Sequence, residues 1–170
     1  MKLNINGYAR HGKDTVADMF CEEANLKKLP ASLMYAEDIM AAGILGPYDS
    51  LEECFEDRVN HRAEWYDFIR SITADNPFHY VIKTLTEGDM YVGHRSRYEF
   101  EKSKSMFDAT IWVDASERGL PQEGRDSCNL DHFGHDFVIN NGLSIAHTRR
   151  QVQDIIRFLK NKERAINAYS

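Results

Sequence analysis

The stretch Gly7-Tyr-Ala-Arg-His-Gly-Lys-Asp-Thr15 decides how the rest of the chain is interpreted. It has the spacing GxxxxGK, and it lies between a short apolar run containing Leu3 and Ile5 and a segment, residues 16–24, with apolar residues at helical spacing. A glycine-bounded loop between a strand and a helix is typical of a site that binds phosphate through backbone N–H groups and a helix N-terminus. We therefore expect phosphate groups here, with Lys13 reaching the terminal ones.

The residue after Lys13 departs from this pattern. Where Ser or Thr would place a hydroxyl on Mg²⁺, the chain has Asp14, and Thr15 follows one step later. A carboxylate at this point can bind the metal directly, bind it through water, or act as a base toward an acceptor hydroxyl. We therefore predict that Asp14 and Thr15 serve Mg²⁺. The other loop positions expected to hold the phosphates are Gly7, Arg10, His11 and Gly12.

Strand and helix signals alternate along the rest of the chain. Residues 90–92, 110–113 and 137–139 have the pattern of buried strands, and the apolar run at residues 31–35, after Pro30, predicts another. Strands that alternate with helices indicate a parallel sheet covered on both faces. We therefore predict an α/β fold, a three-layer sandwich with a parallel sheet of about five strands.

Length and composition indicate one domain. The chain has 170 residues, of which 42% are hydrophobic, so we assign residues 1–170 to a single unit with one core. Residues 116–135 are polar and carry several glycines, and a loop of that length in a compact domain is commonly a lid or a binding loop. If this lid-like loop closes over a nucleotide, Arg118 can meet the phosphates; the alternative is that it is a solvated charge of the loop.

Charge and cysteine content limit the partners and the cellular compartment that we expect. Twenty-seven acidic residues against 21 basic ones give a net charge of −6, which argues against a large nucleic-acid footprint but leaves room for a small basic groove. The odd number of cysteines, three, favours a reducing compartment. No signal-like or membrane-spanning apolar stretch is recognisable, so we expect a cytoplasmic location, in the protein's own cell or in a host, and no membrane partner.

Several polar residues follow expected strands at the edge where ligands of open α/β sheets bind. Arg95 and Glu99 come four residues apart just after the strand at residues 90–92, although such a pair is also typical of a surface helix salt bridge. Asp38 follows the strand expected at residues 31–35, and it is either a group that orients an acceptor hydroxyl or only a helix cap.

Arg62 and Trp65 lie within about one helical turn of each other. A guanidinium and a large ring in this arrangement can bind and stack on a base. The alternative is that Trp65 anchors its helix to the core while its polar neighbours face water.

Other phosphate-binding classes fit less well. A GTPase should carry an NKxD base-reading motif, but Asn161-Lys-Glu-Arg164 lacks the aspartate. A motor ATPase should end a strand with an acidic pair, whereas residues 90–92 run into Gly93-His-Arg95. The size favours a small phosphotransferase, in which positioned cations and a metal spread the charge of the moving phosphoryl group.

Several segments together resemble small P-loop kinases of tailed phages. These are related to the phage deoxynucleoside monophosphate kinases, and one branch, the 5-hydroxymethyluridine DNA kinases, phosphorylates a modified thymine base in phage DNA. The resemblance extends over nearly the whole chain. It rests on Gly7-Tyr-Ala-Arg-His-Gly-Lys-Asp-Thr15, Asn60-His-Arg-Ala-Glu-Trp65, Tyr91-Val-Gly-His-Arg95 with Glu99, Phe107-Asp-Ala-Thr-Ile-Trp-Val-Asp-Ala-Ser116, Ser127-Cys128 and Val138-Ile-Asn-Asn-Gly142.

The resemblance implies a P-loop kinase fold, ATP at the glycine loop, Mg²⁺, and an Arg-x-x-x-Glu motif at Arg95 and Glu99. In the nucleotide kinases an aspartate stands two residues before that arginine, and here the position is Gly93. Our first hypothesis is an ATP-dependent kinase of the hydroxymethyl group of 5-hydroxymethyluracil in DNA, a step toward hypermodified thymidine. The alternatives are a deoxynucleoside monophosphate kinase and a nucleotide-sensing module without turnover.

Roles follow from this hypothesis. Lys13 and the loop amides hold ATP, Arg95 stabilises the transferred charge, and Asp14 or Asp38 is the base. Arg62, Trp65 and Glu99 are then expected to contact the acceptor.

Overall fold

The chain folds around a parallel sheet flanked by helices, in a computed structural model that describes residues 1–120 and 129–168. The sheet has four described strands in the order β2-β1-β3-β4, all parallel. The strands are β1 (Leu3–Gly7), β2 (Met90–Val92), β3 (Ala109–Asp114) and β4 (Phe137–Asn140). The helices are α1 (Lys13–Ala24), α2 (Ala31–Ala42), α3 (Leu51–Asp57), α4 (Arg62–Asp75), α5 (His79–Glu87), α6 (Arg97–Ser103) and α7 (Ile145–Ala168), with short 3₁₀ turns at Lys104–Met106 and Ser116–Arg118.

The main core lies between the sheet and the pair α1 and α7. Leu3 and Ile5 of the central strand are fully buried, and they share one apolar cluster with Phe20 of α1 and Ile156 of α7. The opposite face of the sheet is covered in part by a smaller cluster that contains Trp112. Cover on both faces explains why the two central strands, β1 and β3, consist almost entirely of buried residues, as expected for a parallel sheet.

The order of the strands creates one crevice at the carboxyl edge of the sheet. β1 connects toward β2 on one side, while its other neighbour, β3, connects toward β4 on the opposite side. Open α/β sheets bind ligands where the connections from two neighbouring strands lead to opposite sides in this way. The loop at residues 8–12 leaves the carboxyl end of β1, so the topology brings it to this crevice.

The strand predicted at residues 31–35 is wrong, because this segment is the first part of α2. Met34 and Ile39 are buried and Tyr35 is partly buried, and the helix continues to Gly43, whose φ of +62° ends it. A five-residue apolar window cannot separate a strand from a buried helical segment. The expected sheet of about five strands therefore has four in the described residues.

Helices α2, α3 and α4 form a helical region between α1 and α5 with an apolar cluster of its own. Ile39, Cys54 and Trp65 are buried there, one from each helix. Between the last two of these helices the chain turns at residues 58–61, because α3 ends at Asp57 and α4 begins at Arg62.

The expected lid-like loop at residues 116–135 is described only at its ends. It begins with the 3₁₀ turn Ser116–Arg118, and residues 121–128 lie outside the described part of the chain. No helix among the described residues combines the length and the apolar character that crossing a bilayer requires.

Candidate functional site

Two glycines allow the loop after β1 to adopt its path. Gly12 has φ +84°, and a Cβ on Gly7 would lie 2.6 Å from the carbonyl oxygen of Val113 in β3. Arg10, between them, is also left-handed with φ +67°. A left-handed conformation and a backbone contact this close favour residues without a Cβ, which explains the glycine at each end of the GxxxxGK spacing.

The loop presents unpaired N–H groups at the start of α1. The N–H of His11 donates to the carbonyl of Tyr8, and the N–H of Val16 is the first to bond inside the helix, to Gly12. Across the described residues, the N–H groups of residues 12–15 have no hydrogen-bond acceptor. These donors, with the positive end of the helix dipole, form a cradle that fits an anion such as a nucleotide phosphate.

His11 is fully buried beneath the loop and fixes it to β3. Its Nδ1 accepts a hydrogen bond from the N–H of Ala115 at 2.9 Å, so the ring hydrogen sits on Nε2. That Nε2 is buried and has no hydrogen-bond partner in the described part of the molecule. A buried N–H without an acceptor is costly and uncommon, so this ring is an unusual feature of the support beneath the loop.

Asn141, just after β4, holds the loop from the other side. Its Nδ2 donates to the carbonyl of His11 at 2.9 Å, and its Oδ1 accepts from Thr148 Oγ1 at 2.9 Å. Asn141 is buried, so both bonds are protected from water. The sequence signal for this role was weak, since an Asn-Asn-Gly run after a strand is also typical of an ordinary turn.

Lys13 crosses the end of β2. Gly93 has φ +95°, a conformation that favours glycine, and a Cβ placed on it would be in ordinary contact with Lys13 Cε, at 3.4 Å. The Lys13 ammonium is 3.9 Å from Asp14 Oδ2. Gly93, which departs from the aspartate of the nucleotide kinases, is thus compatible with a lysine at the carboxyl edge of two neighbouring strands.

Asp14 and Thr15 lie exposed on the first turn of α1, where a metal bound to a nucleotide could reach them. The Asp14 side chain is 73% exposed. Within residues 1–120 and 129–168, no group of three or more His, Cys, Asp or Glu side chains is arranged to hold a metal. Asp14 and Thr15 therefore suit a Mg²⁺ ion that arrives bound to the phosphates. Such an ion keeps several waters and needs only one or two protein oxygens.

Arg95 and Glu99 do not form the salt bridge that their spacing allowed. Arg95 is exposed at the carboxyl end of β2, and its guanidinium has no ion pair with any described residue. Glu99 is half-buried, and burial raises the pKa of its carboxyl group despite a hydrogen bond from Thr73 and the nearby charge of Arg70. An unpaired cation and a desolvated carboxyl group next to an empty sheet edge are the kind of groups that recognise a substrate.

The residues expected to contact the acceptor are placed very differently from one another. Arg62 is exposed at the first position of α4, but Trp65 is only 6% exposed and packs in the helical cluster. The ring of Trp65 therefore has no open face for a base, and we correct its role from stacking partner to core anchor.

Asp38 lies on α2 and not after a strand. Its carboxylate accepts hydrogen bonds from Lys83 at 2.7 Å and from His79 at 2.9 Å, both on α5. These two partners hold the pKa of Asp38 below its usual range although partial burial opposes them. The ion pair therefore joins α2 to α5. Asp38 was expected at the ligand edge because a strand was predicted before it, and that strand is the first part of α2.

Arg118 and Arg10 are both exposed near the loop. Arg118 lies in the 3₁₀ turn after β3 and donates to the carbonyl of Leu143, beyond the end of β4, at 3.4 Å. The turn is joined to the same loop a second time, because Asn140 Nδ2 donates to Glu117 Oε1 at 3.1 Å. These contacts place Arg118 at the carboxyl ends of β3 and β4.

A buried polar network beneath the sheet edge was missed by the sequence analysis. Asn4 Nδ2 contacts His94 Nδ1 at 2.8 Å, Asn6 Oδ1 accepts from the N–H of His94 at 2.8 Å, and Asn6 Nδ2 contacts His135 Nε2 at 3.0 Å. Burial lowers the pKa of His94 to about 3 and that of His135 to about 4. The signal was visible, because asparagines at positions i and i+2 of an apolar strand share one face.

No protein-family model matches this chain, and a search of curated proteins found no match either. Its function is therefore inferred from the residues at the carboxyl edge of the sheet.

Proposed function

We propose that this chain is an ATP-dependent phosphotransferase that phosphorylates the hydroxymethyl group of 5-hydroxymethyluracil in phage DNA. The observation that carries the proposal is the start of α1, where the N–H groups of residues 12–15 have no acceptor among the described residues and lie beside Lys13 at the crevice of a parallel sheet. This arrangement suits a chain of phosphates better than any other common ligand, because it combines backbone donors, a helix dipole and a mobile cation. The resemblance to tailed-phage kinases supports the same assignment.

The residues divide into roles that account for the reaction. The loop amides and Lys13 hold the phosphates of ATP, and the buried His11 ring fixes the loop to β3 beneath them. The acceptor hydroxyl oxygen forms a bond to the γ-phosphorus, the bond between that phosphorus and the bridging oxygen of ADP breaks, and the hydroxyl proton passes to a carboxylate or to water. Arg95, free of ion pairs in the described residues, neutralises the charge that develops on the transferred group.

Two carboxylates are candidates for the base that accepts the proton of the acceptor hydroxyl. Asp14 is exposed at the loop, whereas Asp38 is engaged by His79 and Lys83, so we assign the base to Asp14. When Mg²⁺ is bound, it neutralises phosphate charge, and Asp14 and Thr15 are the residues that would hold it. Asp14 is thus a candidate for both tasks, and Asp14→Asn combined with a Mg²⁺ titration separates them. A ligand role raises the Mg²⁺ concentration required, while a base role lowers the rate at saturating Mg²⁺.

The two candidate acceptors differ in the chemistry that they require. A hydroxymethyl group needs a base for its proton, whereas a monophosphate is already a nucleophile. One observation favours the alternative, a deoxynucleoside monophosphate kinase acting on free nucleotides. Residues 31–75, which pack beside β2, contain ten acidic and three basic residues, and this charge repels a polyanion more than it repels a single nucleotide.

The experiment presents labelled ATP with four acceptors: DNA containing 5-hydroxymethyluracil, the same DNA with thymine, each free deoxynucleoside monophosphate, and buffer alone. We expect label only on the modified DNA. Label only on free monophosphates refutes the DNA acceptor and supports the alternative. ATP binding without transfer to any acceptor refutes both kinases and leaves a nucleotide-sensing module.

Lys13→Ala is the variant that tests the loop. It should abolish transfer without affecting thermal unfolding, because the ammonium has only a 3.9 Å contact with Asp14. Lys27→Ala is the matched control, since Lys27 is an exposed lysine whose ammonium has no ion pair in the part of the chain that the structure describes. Transfer retained in Lys13→Ala would show that the loop is not the phosphate site.

A further inference from the structure

Charge is distributed unevenly over this acidic protein. Helix α7 carries six basic and two acidic residues, a net charge of +4, in a chain whose net charge is −6. The helical region at residues 31–75 is strongly acidic, as described above. A polyanion approaching the molecule is therefore repelled by one side and attracted by α7.

Four of the six basic residues of α7 form a stripe along one side of the helix. Arg149, Arg157, Lys160 and Arg164 follow one another at spacings of eight, three and four residues, which keeps them within a narrow sector at 3.6 residues per turn. The stripe runs beside the apolar residues that pack on the sheet. Its last three members line an open groove together with Asn161 and with Glu23 of α1.

Three of these four cations are available for an external anion. Arg149 is engaged by Glu22 at 2.9 Å and Glu23 at 2.8 Å, which lowers the pKa of Glu23 and occupies the acidic side chain that lines the groove among the described residues. Within the same part of the chain, Arg157 has one ion pair, an exposed one with Asp154 at 3.0 Å, and such pairs contribute little.

Lys160 and Arg164 complete the available set. Both are exposed, and neither forms an ion pair with any residue in the described ranges. Together with Arg157 they form a groove with more positive than negative charge, although the protein as a whole is acidic.

We infer that Arg157, Lys160 and Arg164 bind the phosphate backbone of the DNA that carries the acceptor base, an inference that rests on the proposed function. The three residues extend over about 10 Å of helix, a length along which one strand of duplex DNA presents about three phosphates. Arg157 lies about 18 Å along α7 from its first residue, and Arg164 about 28 Å, which corresponds to roughly five to eight base pairs. The contact therefore lies several base pairs away from the modified base.

This distance predicts that the stripe acts only on long substrates. α7 begins directly after the loop that follows β4, at the carboxyl edge where the phosphate loop lies, and it extends away from that edge. A fragment of about four nucleotides would fill the catalytic crevice without reaching Arg157, whereas a duplex of roughly 24 base pairs would reach all three cations.

The binding test uses fluorescence anisotropy of a duplex of about 24 base pairs with one central 5-hydroxymethyluracil, without ATP. The variant Arg157→Gln/Lys160→Gln/Arg164→Gln should bind at least tenfold more weakly in low salt. Its plot of log Kd against log salt should be less steep by about 2–3, as expected for three lost phosphate contacts. Lys160→Gln should weaken binding about threefold. The matched control Lys162→Gln removes one charge from the same helix outside the stripe and should leave Kd unchanged within about twofold.

Phosphoryl transfer supplies the second readout. In the triple variant we expect the KM for the long duplex to rise about tenfold and kcat to stay the same, while both constants for the four-nucleotide substrate remain unchanged. Equal affinity of wild type and triple variant for the duplex, or a KM that rises equally on the short substrate, would overturn the inference. A wild-type protein that transfers phosphate to neither DNA refutes the proposed function, and the anisotropy result still decides whether α7 binds DNA.

Discussion

Replacing Gly12 by alanine should lower the free energy of unfolding by more than the cost of the left-handed backbone conformation alone. The left-handed φ of +84° costs an L-residue about 1–2 kcal/mol, and an added Cβ would overlap Asn141 Nδ2. That amide group is hydrogen-bonded to the carbonyl of His11, and the same side chain accepts from Thr148. Displacing it leaves buried polar groups unpaired, at about 1–3 kcal/mol. We expect a total loss of roughly 3 kcal/mol, which lowers the Tm by about 6–12 °C for a chain of this size.

Gly43 provides a matched control for the conformational part. Its φ is +62°, and within the described structure no heavy atom lies within 4 Å of a Cβ placed there. Gly43→Ala therefore carries only the cost of the left-handed conformation, about 1–2 kcal/mol. Urea unfolding of both variants should give a difference of about 1–3 kcal/mol. Isothermal titration with ATP should show weaker binding for Gly12→Ala and unchanged binding for Gly43→Ala.

A double-mutant cycle identifies the partner in this contact. In an Asn141→Ala background the overlap is absent, so Gly12→Ala should lose only the conformational cost, about as much as Gly43→Ala loses. Equal losses for Gly12→Ala and Gly43→Ala in the wild-type background, or the same loss for Gly12→Ala with and without Asn141, would refute the steric explanation.

Three further predictions test other parts of the structure. Burial lowers the pKa of His94 to about 3 and that of His135 to about 4, so the unfolded chain binds more protons than the folded one between these values and about pH 6.5. The stabilisation from the two neutral histidines is therefore present above about pH 6.5 and is lost as the pH falls toward their folded pKa values. Urea titrations should show a loss of roughly 2–4 kcal/mol between about pH 7.5 and pH 5, with a smaller loss in His94→Gln. Asp38→Asn should lower the free energy of unfolding by about 1–2 kcal/mol and keep the rate of transfer; a rate reduced about 100-fold or more would restore Asp38 as the base. Trp65→Ala should lower the free energy of unfolding by about 3–5 kcal/mol without a change in the KM for the acceptor, and a raised KM in the folded variant would reinstate the stacking role.

The sequence predicted those elements that have a local signal. The loop between β1 and α1 was recognisable because its glycines meet strict backbone requirements, which a Cβ at either end would violate. The strand at residues 110–113 was recognisable from its β-branched and aromatic residues, and it is the central part of β3.

The errors arise where tertiary packing decides. Residues 31–35 carry an apolar run that suits a strand or a buried helix, and contacts with Cys54 and Trp65, distant in sequence, make the segment part of a helical region. Asp38 was placed by that error, so its partners on α5 could not be foreseen. The contact between His11 and Asn141 joins residues 130 positions apart, and no local pattern encodes it.

The hydrogen bond from Ala115 to His11 gives the protein a spectroscopic marker. It places the imidazole hydrogen on Nε2, inside a fully buried site, where exchange with water is slow. Such a hydrogen gives its own signal in proton NMR. A phosphate bound at the loop above the ring would change its surroundings and shift this signal, so occupancy of the loop can be followed in a titration that needs neither an acceptor nor turnover.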